Sequence, residues 1–105
     1  MIARHWRGST KIEKADEYEA LLKSRVLSSL SSIDGYRGAY ILRRDSPGEA
    51  EFVVINLFDS LDAVKRFAGE DYTVAVFEPE AKLLLLKADP FAVHYEVRAA
   101  PAGKS

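Results

Sequence analysis

The side chain best suited to proton chemistry in this chain is His94, one of two histidines. Imidazole titrates near neutral pH, and His94 interrupts the alternating run Phe91-Ala92-Val93-His94-Tyr95-Glu96-Val97, which makes it a candidate general base. The alternative is that it faces solvent or answers a neighbouring carboxylate. Trp6 offers a flat face for stacking and an indole N–H, although an early-strand tryptophan serves equally as core. Asn56 stands between Val54 and Phe58, where a buried amide either orients a ligand oxygen or bonds its neighbours. Tyr72 and Phe77 fall in an irregular stretch of the kind that closes ligand cavities, or else they pack beneath it. His5 shares a strand with Trp6, but alternation points it to the opposite face. Arg4, Arg7 and Arg43 can stabilise an anion, or remain solvated or paired with carboxylates such as Glu96.

Periodicity shows which elements carry these groups. A strand is expected over 2–8, with Ile2, Arg4 and Trp6 on one face and Ala3, His5 and Arg7 on the other. Thr10 and Glu13 have capping-box spacing, and Tyr18, Leu22, Val26, Ser29, Leu30 and Ile33, widened by Leu21, make an amphipathic helix that Asp34-Gly35 ends. Two strands follow, 36–44 and 51–58, joined by the turn Asp45-Ser46-Pro47-Gly48. Alternation puts Tyr36, Gly38, Tyr40 and Leu42 on one side of the first. The second is apolar on both faces and belongs at the sheet centre. Asp59 or Ser60 can cap a second helix, whose stripe is Leu61, Val64, Phe67 and Ala68 and whose end is Gly69. Residues 70–88 read as a loop, then one or two short helices starting at Pro79 and including Leu83-Leu84-Leu85-Leu86. A last strand begins after Asp89-Pro90. The order βαββαβ predicts an α+β, ferredoxin-like domain over 1–97 with an antiparallel four-stranded sheet, order 4-1-3-2, and a disordered tail over 98–105.

Composition narrows the function. Fifteen basic and sixteen acidic residues are interspersed, without the basic stripe that nucleic acid requires. No apolar run approaches the ~20 residues of a spanning helix, so no membrane partner is expected. With no cysteine there is no disulfide framework, thiolate metal site or thiol nucleophile. The opening Met1-Ile2-Ala3-Arg4-His5-Trp6 lacks a charged leader with an apolar core, so the expected compartment is the cytoplasm. Two helices cover one sheet face only, yet the strands carry bulky apolar residues on both. A homodimer joined through the second face is the expected assembly.

Local sequences then become recognisable: Ile2-Ala3-Arg4-His5-Trp6-Arg7-Gly8, Asp59-Ser60-Leu61-Asp62-Ala63-Val64-Lys65-Arg66-Phe67-Ala68-Gly69-Glu70-Asp71, Ala75-Val76-Phe77-Glu78-Pro79-Glu80 and His94-Tyr95-Glu96-Val97. With these the chain resembles, over nearly all of 1–97, the antibiotic biosynthesis monooxygenase family of dimeric α/β-barrel proteins. The resemblance implies a pocket between sheet and helices in which a small aromatic phenol, quinol or polyketide-like substrate is oxidised by molecular oxygen, with no flavin, metal or haem as cofactor. A non-catalytic or stress-associated dimer binding a small ligand is the alternative, and an isomerase or lyase on the same fold a third. Haem-degrading members use a histidine on the helix after strand three, and no histidine occurs in 60–86.

Overall fold

Apolar alternation becomes three long strands, β1 (Ile2–Lys11), β2 (Tyr36–Ser46) and β3 (Glu49–Phe58), and two short ones, β4 (Leu85–Ala88) and β5 (Val93–Glu96). The computed structural model describes residues 1–101. Helices α1 (Ala15–Arg25), α2 (Leu61–Ala68) and α3 (Pro79–Leu84) lie between them. The sheet is antiparallel in the order β2-β3-β1-β4, and β5 pairs with the other half of the β1 edge that β4 occupies. This is the expected α+β, ferredoxin-like arrangement with one change: the fourth strand is broken in two around Asp89-Pro90. The four-leucine run accounts for the difference. It has no period of its own, and tertiary pairing splits it, with Leu83 and Leu84 ending α3 while Leu85 pairs with Thr10 and Leu86 sits at the bulge before Lys87 pairs with Ser9. Of the expected tail over 98–105, residues 102–105 lie outside the described residues, and 98–101 form no helix or strand.

Register divides the side chains cleanly. Ile2, Arg4, Trp6 and Gly8 stand opposite Phe58, Asn56, Val54 and Phe52, and this set faces the helices. There Tyr18, Phe52, Phe58, Ala63 and Val64 are essentially buried, and the Tyr18 and Phe52 rings meet edge to face at 5.0 Å. Burial of Phe52, Phe58 and Val64 stabilises the fold by roughly 1.5–3 kcal/mol each. Simple alternation fails in β2. A bulge between Tyr36 and Gly38 shifts the pairing, so Tyr36 shares the helix face with Ala39 and Ile41, while Gly38, Tyr40 and Leu42 turn to the other.

Helix ends also depart from expectation at one place. Thr10 is a buried strand residue whose hydroxyl meets no hydrogen-bond partner among the described residues, so it does not cap the helix, and a 3-10 turn (Ile12–Lys14) leads into α1. The expected helix over 15–33 is α-helical to Arg25 and then widens into a π-helix over Val26–Leu30, where the Ser28 hydroxyl donates to the Ser24 carbonyl at 2.7 Å. Ser60 caps α2 as expected, accepting from the Ala63 N–H at 3.2 Å. Ala63, not Leu61, joins Val64 on its buried side, and Leu61 is exposed. Gly35 is required twice over, by its φ of +88° and because a Cβ there would lie 2.7 Å from that of Ala63.

The face away from the helices carries Tyr40, Leu42, Val93 and Tyr95, exposed at 53, 49, 50 and 57 %. Between them run the half-buried Val53, Ile55 and Leu57 of β3. No helix among the described residues is long and apolar enough to cross a membrane.

Candidate functional site

A cleft opens between the helix face of the sheet and α1, roofed by the strap 69–78 that connects α2 to α3. The cavity volume enclosed in it is about 60 Å³, well below the ~300–1,000 Å³ of formed small-molecule sites. A ring-sized ligand therefore fits only where part of the strap or the Phe77 ring gives way. Three of the expected site residues, Trp6, Asn56 and Phe77, line this cleft. Tyr72 and His94 instead line a shallower groove beside it, with their rings edge to face at 5.2 Å.

Each lining side chain has an identifiable support. Trp6 meets the Phe77 ring edge to face at 5.6 Å, and its indole N–H, expected to be free for a ligand, donates to the Asp89 carbonyl at 2.8 Å. Only the ring remains for stacking. The indole lies directly over Gly8, where a Cβ would come within 2.4 Å of Cη2, so the glycine makes room for the tryptophan. Asn56 is 8 % exposed, and its Oδ1 accepts from the Tyr36 hydroxyl at 2.9 Å, which leaves the amide N–H groups as what it can offer a ligand. Burial pushes the Tyr36 phenol up to about 12, so that hydroxyl stays protonated and donating at neutral pH.

Arg4 links cleft and groove. It is 3 % exposed, and its Nη1 donates to the Tyr72 carbonyl and, at 3.1 Å, to Nε2 of His94, while Nη2 donates to the Val74 carbonyl at 3.0 Å. Burial, reinforced by the Arg25 charge, lowers the guanidinium to about 10, still cationic at neutral pH. Arg25 ties down the same strap through the Val76 carbonyl at 3.4 Å and pairs with Glu78 at 3.3 Å. Both guanidinium carbons lie near the Phe67 ring, at 5.4 and 5.2 Å from its centroid. Burial and the Arg4 charge hold His94 below its ordinary value, and since Nε2 accepts from Arg4 the imidazole is neutral with its proton on Nδ1. His5 lies on the other sheet face, against Tyr95. Arg7 pairs with Glu51, and Arg43 with Asp16, Glu19 and Asp45.

Several cleft residues were not singled out from the sequence. Arg25 continues the face of Tyr18, Leu21 and Leu22 at helical spacing, so a cation at an apolar position was its signal. Phe67 had been assigned to packing only. Tyr36 as partner of Asn56 was hidden by the bulge in β2. Among the described residues no cluster of three or more histidine, cysteine or carboxylate side chains could hold a metal ion.

The arrangement has aromatic walls and three groups that donate hydrogen bonds, Arg4, Arg25 and Asn56, converging on one space. It can bind a flat ring and hold negative charge on an attached oxygen. Among solved structures, a candidate antibiotic biosynthesis monooxygenase from Bacillus cereus superposes with a TM-score of 0.64 at 14% identity, covering 100% of this chain and 98% of that one. At that identity the likeness is one of fold. No curated protein matches the chain. The family model for antibiotic biosynthesis monooxygenase matches residues 1–78, about three quarters of the sequence, and the chain therefore belongs to that family.

Proposed function

We propose that the protein is a cofactor-independent monooxygenase that oxidises a small phenol, quinol or polyketide-like aromatic in the cleft between sheet and helices. The observation that carries this reading is the convergence of Trp6, Phe67 and Phe77 with Arg4, Arg25 and Asn56 around one space, in a chain of this family. The substrate is its own reductant. Loss of a proton gives a phenolate or carbanion whose charge the guanidinium groups and the Asn56 amide hold, and that anion passes one electron to molecular oxygen. Carbon radical and superoxide then combine to a hydroperoxide, which loses water to leave a new C=O, so one oxygen atom enters the product and the other leaves as water. Ring walls keep reacting partners together and bulk water out.

A base role for His94 requires Arg4 to leave Nε2, which an oxyanion arriving in the cleft would draw it to do. Tyr72 then acts from the groove, holding Arg4 through its carbonyl and His94 through its ring. Oxygen uptake by metal-free, flavin-free protein with anthrones, hydroquinones and flavonols, corrected for autoxidation, is the test. His94→Ala and Trp6→Ala should each lower it, and a variant with full turnover loses its place in the mechanism.

A second reading, a small-ligand-binding dimer without turnover, is favoured by the occupied lone pair of His94. It predicts ligand binding with no oxygen consumed. Neither histidine lines the cleft, which gives a haem iron no imidazole there. In either case the exposed apolar sheet face supports a second copy as its cover, forming a dimeric α/β barrel. Sedimentation at micromolar concentration showing only an 11.7 kDa species would refute that assembly.

A further inference from the structure

Among the described residues Arg4 is the one charged residue that is buried, and the partners it has there are neutral. Its contacts are the Tyr72 and Val74 carbonyls, Nε2 of a neutral His94 and the face of Phe67, and among the described residues it has no carboxylate within ion-pair distance. A guanidinium carries five N–H donors, and these contacts use three. The N–H on Nε and one on Nη2 meet no acceptor among the described residues. The other arginines set the contrast: Arg7, Arg25, Arg37, Arg43 and Arg44 all meet carboxylates, and Arg66 and Arg98 are exposed to solvent. Within the cleft the charged residues are Arg4, Arg25 and Glu78, and the last two pair with each other, which leaves one positive charge in excess. A buried cation without a counter-charge is costly, so a site that keeps one is built to receive the opposite charge.

We propose that the cleft takes an aromatic ligand bearing a single anionic oxygen group, a carboxylate or an ionised phenol or enol, docked on the unused N–H donors of Arg4 with its ring against Trp6, Phe67 and Phe77. This deepens the reading of the cleft as a ligand site and rests on it. The apolar ring walls select the aromatic body, and the excess charge selects the anion. Charge-assisted hydrogen bonds to a guanidinium are roughly twice as strong as neutral ones, so the neutral analogue of the same shape binds distinctly more weakly. The three acceptors that hold Arg4, two of them strap carbonyls, keep its free donors in place for the anion.

Titration calorimetry at mildly alkaline pH with matched probes tests this. One arm compares 2-naphthoate with 2-naphthalenemethanol, and the other compares 4-nitrophenolate with 4-nitrobenzyl alcohol. The expected result is an anion bound about tenfold or more tighter than its neutral partner, with Arg4→Gln bringing the two within about threefold and Arg4→Lys keeping part of the preference. The arm that shows the larger ratio distinguishes carboxylate from phenolate. Equal affinities in the wild type overturn the anion proposal and leave the cleft as a site for neutral aromatics. No binding of any probe overturns both. A preference that survives in Arg4→Gln removes Arg4 from the site, and the wild-type ratio decides the ligand charge even where that variant does not fold.

Discussion

Replacing Gly8 by alanine should force Trp6 out of the cleft wall, because the added Cβ would stand 2.4 Å from Cη2 and 2.8 Å from Cζ2 of the indole and 3.0 Å from the Lys87 carbonyl. The ring has to retreat by roughly 1 Å to restore ordinary contact, and overpacking of that kind costs about 1–3 kcal/mol. Retreat also strains the 2.8 Å bond from the indole N–H to Asp89, worth about 0.5–1.5 kcal/mol. Against this, exchanging glycine for alanine restricts the unfolded chain and returns about 0.4–1 kcal/mol. The net expectation is a loss of about 2 kcal/mol, a fall in Tm of about 10 °C for a domain of this size. Trp6 is the sole tryptophan, so its fluorescence reports the displacement without ambiguity. Thermal denaturation and emission spectra of Gly8→Ala beside the wild type make the comparison. An unchanged emission maximum with an unchanged Tm would refute the claim that Gly8 is the seat of the indole.

Tyr36→Phe should cost about 1 kcal/mol in chemical denaturation by leaving buried Asn56 without its 2.9 Å donor, and an unchanged midpoint would show that the bond contributes nothing. Ser60→Ala should lose about 1 kcal/mol through the start of α2, and equal stability would mean that solvent replaces the cap. His94 is held below its ordinary 6.5, so the unfolded chain binds this proton first on acidification: the stability due to neutral His94 is complete above about 6.5 and is lost as the pH falls through the folded value. His94→Gln should therefore flatten the acid side of the Tm profile, and parallel wild-type and variant profiles would refute the burial argument.

Long strands with two-residue alternation were legible because each carries its own period, and so was their order, since two helices between such strands leave few ways to close a sheet. Ser60 and Gly35 were legible for the same local reason: capping and left-handed turns depend on residues adjacent in sequence. What escaped depends on distant partners. Leu83–Leu86 offers equal apolarity in every direction, and only pairing with β1 decides where helix yields to strand. The bulge at the start of β2 inverts the face of Tyr36; its one local mark is Gly38, at φ +111°, and simple alternation through that glycine hid the Tyr36–Asn56 pair. Alternation did put Arg4 on the face of Trp6. Its burial was missed because strand arginines are usually solvated, and the groups that hold it, at positions 72, 74 and 94, come from segments about seventy to ninety residues away. The cleft was thus half legible: Trp6, Phe77 and Asn56 were, Arg4 stood only as one of three strand arginines able to hold an anion, and Arg25 and Phe67 were not.

Oxygen chemistry in the cleft is tested most directly by product mass after turnover under isotopically heavy oxygen gas, using protein stripped of metal and flavin and an anthrone or hydroquinone that binds it. The expected product carries one heavy oxygen atom at a rate above autoxidation, and the rate falls in Trp6→Ala and Arg4→Gln. A bound substrate recovered unchanged, or a product whose mass is the same under ordinary and heavy oxygen, would contradict the oxygenase and leave a ligand-binding protein in its place.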